Sequence, residues 1–466
     1  MLLLAGLAIT MFLLAGEQSV TVARFGAIGI GLSIAGSLIL DMRLGGGLRN
    51  LIRADVLSML SLYYLTFFEF LLPQYQLNYS VAVSSVRLAV TACLIAFAGL
   101  AIGRHLTRFS AKPLTTICQR QINHSWTLLL FWGAFTVGYL YMLATVEFNP
   151  IEMVSNFLEA RFAQPWARES LGNWRALLFE LRMVLFLVPP LAGIILARRR
   201  NYTRFQLVTV ALALLFTWFY GFSGGTRYLL SAYLVTFIIG YCFALPRGRV
   251  LEVFGVSAAC LAFLWMSTTF MLRFREIGLR SYFEGTYQPH RGGYDYFFVD
   301  YNLRTISRLV ETFPEAHPYL GWEVPYLALI RPIPRAIWRG KPERLSLSIE
   351  NIMGADQESG ATVLSTFVGE AYMCYGLSTV FLFAVMFGIV GGWWNRIASE
   401  RNSEFGILIY SSGFFAAAIA MRSMMVFTTA IIPTVFAVIF GVIFLRIRNT
   451  ATSRPDRRTR KSVGVA

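Results

Sequence analysis

Charge is what this sequence has least of. Only 14% of its 466 residues are Asp, Glu, Lys or Arg, where a water-soluble chain carries roughly 25%. Lysine is nearly absent: Lys112, Lys341 and Lys461 stand among 41 basic residues. The five cysteines, Cys93, Cys118, Cys242, Cys260 and Cys374, are scattered. Only Cys374 falls in an external segment as read below, so a disulfide framework has no partners, and without a C-x-x-C pair a zinc knuckle is excluded. Neither a G-x-x-x-x-G-K-[ST] phosphate loop nor an H-E-x-x-H metal motif occurs. No 20–50-residue repeat is visible, and the only biased tract is a basic tail.

What remains is apolar. Residues of the hydrophobic class make up 56% of the chain, and mean hydropathy is +0.58. Phe and Tyr number 39 and 21, as aromatic belts at a membrane interface require. A helix needs about 20 apolar residues to cross the hydrocarbon layer. Twelve runs qualify, near 2–15, 22–40, 56–72, 86–102, 126–146, 176–196, 205–222, 228–244, 251–272, 377–393, 405–421 and 424–445. Only Arg422 punctuates the last pair. The first run lacks a basic flank and a cleavage site, so it reads as a span, not a removed signal peptide.

With the N-terminus inside, segments 41–55, 103–125, 197–204, 245–250, 394–404 and 446–466 carry 22 of the 41 basic residues and five acids. The short external loops 16–21 and 73–85 carry no Lys or Arg. This is the positive-inside pattern. It accounts for the net charge of +16 without nucleic acid, and both termini are expected in the cytoplasm. No internal loop is long enough for a nucleotide-binding domain. The reading is an all-α polytopic membrane protein of about twelve spans: a bundle over 1–272, a large external loop over 273–376 between spans 9 and 10, spans 10–12 over 377–445 and a basic tail over 446–466.

The polar mass lies in that loop, with eleven basic and twelve acidic residues. Chemistry outside a membrane lacks ATP, so a synthetic reaction there needs a donor that is already activated, and a lipid diphosphate fits. Arginine, with its bidentate fork, suits such a group. Asp300, Arg304 and Arg308 follow at i, i+4, i+8 behind the aromatic stretch 292–301, which includes Asp295. They read either as a surface ion-pair row or as a sugar platform with an acidic base. Arg331, Arg335, Arg339 and Lys341 sit in a proline-stiffened loop with Trp338. That loop suits a site or a contact with anionic lipid equally. Glu370 lies at an apolar entry to a span, a costly place unless it is paired. Gly221-Phe222-Ser223-Gly224-Gly225 matches G-x-S-x-G, but membrane helices flank it on both sides, against the strand–helix context of a nucleophile elbow. A glycine-opened turn that presents N–H groups and Arg227 to an anion is the better reading. Glu69, Arg182 and Arg422 are charged residues within or beside apolar runs. His290 and His317 are the external histidines.

The Gly224-Gly225-Thr226-Arg227 turn, the long late loop, the Pro334-Arg335…Trp338…Lys341-Pro342 element and Gly369-Glu370-x-Tyr372-x-x-x-Gly376 together resemble the Wzy-type polymerases. These assemble O-antigen or exopolysaccharide repeat units at bacterial inner membranes. Arg161 to Gly172 also meets an Arg, ten residues, Gly spacing described for that family, whereas the long loop holds no such match. The resemblance implies a C-class glycosyltransferase-like (GT-C-like) bundle acting without metal or cofactor on undecaprenyl-diphosphate-linked glycans. A chain-length regulator is an implied partner. In that scheme Arg161, Arg227, Arg304, Arg335, Arg339 and Lys341 bind the diphosphate, and Glu370, Asp295, Asp300 or His290 takes the proton. A lipid-linked glycan ligase and a polysaccharide flippase or transporter are the alternatives.

Overall fold

The computed structural model describes residues 1–46, 52–107, 118–119, 121–161, 163–166, 181–246, 248–274, 277–285, 299, 301–333, 337–338, 340–342, 345–347, 349–353, 364–399 and 403–452. Every regular element among them is helical. The first half of the chain forms α1 (Leu2–Phe12), α2 (Ser19–Asp41), α3 (Ala54–Thr66), α4 (Leu77–Ser80), α5 (Val83–Gly103), α6 (His124–Thr145), α7 (Pro150–Phe157), α8 (Val188–Ala197), α9 (Arg204–Ser223) and α10 (Arg227–Ala244). The second half forms α11 (Val250–Phe274), α12 (Gly278–Phe283), α13 (Asn302–Thr312), α14 (Glu323–Ile330), α15 (Ile349–Met353), α16 (Thr366–Tyr375), α17 (Leu377–Ser399), α18 (Glu404–Arg422), α19 (Met424–Ala430) and α20 (Ile432–Thr452).

Nine stretches among the described residues are long and apolar enough to cross a membrane: Ser19–Leu44, Val83–Gly103, His124–Thr145, Arg204–Ser223, Arg227–Ala244, Val250–Met271, Leu377–Ile397, Glu404–Arg422 and Met424–Ile443. The chain is therefore a polytopic membrane protein. Three of the twelve runs read from the sequence give no helix of that length among the described residues. The first is the eleven-residue α1. The run 56–72 gives the thirteen-residue α3, then a 3-10 turn over Phe68–Leu71. In the run 176–196, Pro189 and Pro190 lie in the first turn of α8. Proline there costs no helix bond, but it cannot continue a helix entering from upstream. The preceding Arg182–Leu187 is accordingly wound as a 3-10 segment.

Two apolar clusters build the bundle. One gathers α6–α11 with α20, and the other gathers α1–α5 with α13–α17. Helix α18 belongs to both, and 89% of its apolar window is buried, more than in any of the other eight spans. Two close seams hold the clusters internally. On α5 and α17, a Cβ added at Gly103 would lie 2.2 Å from Val385 O, and one at Gly388 would lie 2.5 Å from Leu100 O. On α8 and α10, Gly193 and Gly240 meet facing backbone at 2.5–2.7 Å in the same way. Small residues let helix backbones approach where lipid offers no hydrophobic drive for association.

Segments that the sequence marks as basic meet one another at one end of the bundle. At the basic end, buried Asp55 accepts from both sides of the Arg53 guanidinium at 3.0 and 2.8 Å and from Asn395. Buried Glu404 accepts from Arg198 at 2.8 Å and Thr127 Oγ1 at 2.5 Å. Glu252 takes Tyr241 at 2.7 Å and Arg249 at 2.8 Å. With Arg104 near Asp41 (3.9 Å) and Asp55 (3.8 Å), His124 near Glu404 (3.5 Å) and Arg199 near Glu252 (3.5 Å), these contacts bring together segments 41–55, 103–125, 197–204, 245–250 and 394–404.

Candidate functional site

The opposite end is assembled from helix breaks. Helix α3 stops at Phe67, whose φ of −125° leaves the helical region, and the following 3-10 turn carries Glu69 inward to 2% exposure. An isolated buried carboxylate is costly, and hydrogen-bond donors offset that cost. Glu69 Oε2 accepts from the Val299 N–H at 2.7 Å, while Val299 O accepts from Arg227 Nη2 at 2.9 Å. One residue of the long loop, Val299, is thus held through its N–H by a buried acid and through its carbonyl by a cation. Arg227 is the first residue of α10, after a turn in which Gly225 takes φ +59°, a conformation glycine adopts without strain. Ser223 Oγ donates to Tyr220 O at 3.2 Å, within the last turn of α9.

Next to this clamp, Asn302 opens α13 and is fully buried. Its Nδ2 donates to Leu65 O at 2.9 Å, and its Oδ1 has no hydrogen-bond partner among the described residues. Arg304 lies half-buried, its Nε covered and likewise without a hydrogen bond. Arg308, from the same sequence row, pairs with Glu311 at 3.0 Å.

Glu370 occupies the second break. It is 3% exposed on α16 and reaches the gap between α18 and α19. Ser423 is extended there (φ −168°, ψ 135°), so the two helices cannot run on as one. Glu370 Oε1 accepts from Ser423 Oγ at 2.5 Å, and Oε2 accepts from the Met424 N–H at 2.6 Å. Burial pushes its pKa up to about 7, although Ser423, the Met424 N–H and the charge of Arg331 pull the other way. Arg422, one residue before the break, lays its guanidinium 5.4 Å from the centroid of the Tyr228 ring. Arg182 lies within interaction range of Tyr220 and Tyr233, and Tyr220 in turn of Tyr228. The arginines at 182 and 422 therefore share one tyrosine-lined region, with Arg227 adjoining it in sequence.

Arg331 ends α14 and is exposed within electrostatic reach of Glu370. Lys341 Nζ donates to Arg331 O at 2.8 Å and Ile333 O at 2.9 Å, so it acts as a clasp on the proline-stiffened loop. Arg161 follows α7 beside the 2.5 Å Glu159–Arg280 ion pair that ties α7 to α12. The ring of Phe157 at the end of α7 is 5.1 Å from that of Tyr220. His290, Asp295, Asp300, Arg335 and Arg339 lie outside the described residues. The sequence marked Glu69, Arg182 and Arg422 only as charges near apolar runs. It gave no sign of Ser423, Tyr220, Tyr228, Val299 or Asn302, whose parts depend on contacts distant in the chain. Among the described residues no group of three His, Cys, Asp or Glu could hold a metal ion.

A domain of unknown function (DUF8712) matches residues 294–448, from just before α13 into α20. That stretch contains Glu370, Arg422, Arg331 and Lys341, but not Glu69, Arg182 or Arg227. No curated protein and no solved structure matches the chain.

Proposed function

We propose that the chain polymerises lipid-diphosphate-linked oligosaccharide repeat units at the external face of a bacterial inner membrane. The observation that carries this reading is the placement of Arg422 and Arg182 about one set of tyrosines, with Arg227 linked through Val299 to buried Glu69 and Arg331 within electrostatic reach of buried Glu370. A lipid diphosphate rooted in the bilayer presents its phosphates at that level. Guanidinium groups bind such oxygens bidentately and stabilise the charge that grows on the leaving group.

In the proposed reaction a hydroxyl of the acceptor repeat unit attacks the anomeric carbon of the donor glycan. The bond from that carbon to the diphosphate oxygen breaks, and the lipid diphosphate leaves with the electron pair. The hydroxyl proton passes to a base. Glu370, held by two donors, is a positioning residue in this scheme: it orders the break that aims Arg422. His290, Asp295 and Asp300 stay as candidate bases. The tyrosines offer stacking surface to sugar rings.

Glycan sizing tests the proposal. Cells lacking the protein should keep lipid-linked material capped with a single repeat unit and lose the ladder. Arg422→Ala should give the same pattern at undiminished protein level. Loss of even the single unit would overturn the polymerase in favour of a ligase or flippase.

A further inference from the structure

Helix α14 lies in the long loop between two spans, yet it does not look outward into water as a soluble helix would. Its exposed side is an apolar stripe of Trp322, Tyr326, Leu329, Ile333 and Ile337, with Trp322 58% and Leu329 73% exposed. Trp322, Tyr326 and Leu329, four and three residues apart, lie on one helix face, and exposed Ile333 and Ile337 follow beyond the helix end. The other face, Val324, Leu327, Ala328 and Ile330, is buried. The one acid of the helix, Glu323, is turned away and accepts from Ser346 N at 2.5 Å and Ser346 Oγ at 2.7 Å.

The surroundings of α14 say what covers that stripe. Trp322 packs edge-on against Tyr375 and against Phe383 of α17, at 6.1 and 6.5 Å between ring centroids. Phe383 is six residues into a spanning helix, about 9 Å below its first residue. The other side of α14 rests on α19, the start of the last span. The segment is locked at this depth, because Leu320 N and Gly321 N donate to Met373 O (2.8 Å) and Cys374 O (3.1 Å) at the end of α16. The apolar stripe is thereby continuous with the exposed face of α17 formed by Phe381, Leu382, Met386 and Val390. Arg331 follows at the end of the helix, exposed, where a cation complements both the helix C-terminus and a phosphate.

We propose that α14 is an in-plane membrane helix. Trp322, Tyr326, Leu329, Ile333 and Ile337 enter the outer leaflet, and Arg331 meets lipid phosphate at its edge. Aromatic rings at the headgroup level with apolar residues beneath them are the composition of an interfacial helix. The inference stands apart from the proposed reaction, since any phospholipid satisfies it.

Site-directed spin labelling in nanodiscs of phosphatidylethanolamine and phosphatidylglycerol tests it. A nitroxide at Leu329→Cys should collide with oxygen and be shielded from a water-soluble nickel chelate. It should behave like a reference label at Leu382→Cys on α17 and unlike one at exposed Glu315→Cys. Nickel accessibility at Leu329→Cys equal to that at Glu315→Cys would overturn the proposal. So would shielding from both agents with dipolar broadening, which would mean that a second copy covers the stripe. Ile337→Cys, exposed and beyond the helix, repeats the reading should the first variant fail to fold.

Discussion

Glu370 is the residue where packing and charge meet most directly. Its carboxyl is buried against a helix break, so the folded protein retains the proton up to about pH 7 while an unfolded chain releases it near 4.5. A raised folded-state pKa means that the folded form binds the extra proton between those values. The stability it contributes is complete below about pH 4.5 and is lost as pH rises through 7. Thermal unfolding in detergent should therefore shift to lower temperature between pH 5 and pH 8. Glu370→Gln, which keeps an acceptor for Ser423 or Met424, should flatten that dependence; an unchanged slope would exclude Glu370 as its source. The sequence marks Glu370 as a costly acid in an apolar setting. It does not reveal Ser423, because a partner 53 residues away leaves no local periodicity or spacing to read.

At the scale of elements, tight helix seams and broken helices divide the work. Gly103 and Gly388 let α5 and α17 touch along their backbones, and a larger side chain there forces the helices apart. Gly388→Val should destabilise the protein by about 1–3 kcal/mol through overpacking. Gly133→Ala, on α6 with open space around it, should leave stability unchanged. Unfolding midpoints in detergent check both. Regular spans were legible because apolar length alone defines them. The exceptions were not, and each has its own cause: a proline pair in the first turn of α8, a buried acid after α3, and an extended Ser423 where the sequence shows only Arg422 as punctuation. Helix α14 was hidden for a related reason, since its eight residues are too short to register as a membrane segment.

At the scale of the whole molecule, the two ends differ in chemistry. One gathers the basic segments and ties Asp55, Glu404 and Glu252 into ion pairs. The other gathers arginines against tyrosine rings and backbone carbonyls. The count of Lys and Arg per loop anticipates the meeting of the basic segments, and charge asymmetry biases which way a chain threads the membrane. Which arginines come near the same tyrosines was not readable, since Arg182, Arg227 and Arg422 come from separate elements of the chain. A cysteine at exposed Glu315 should react with a membrane-impermeant maleimide in intact cells, and one at exposed Arg200 only after permeabilisation. The reverse result would place the arginine region inside the cell.

Binding of the leaving group itself reaches the central claim most directly. In native mass spectrometry of the purified protein, undecaprenyl diphosphate should remain bound as a discrete adduct to the wild type. Its affinity should fall at least about tenfold, the equivalent of some 1.4 kcal/mol, in Arg422→Ala and in Arg182→Ala. Equal retention by the wild type and both variants would contradict the account.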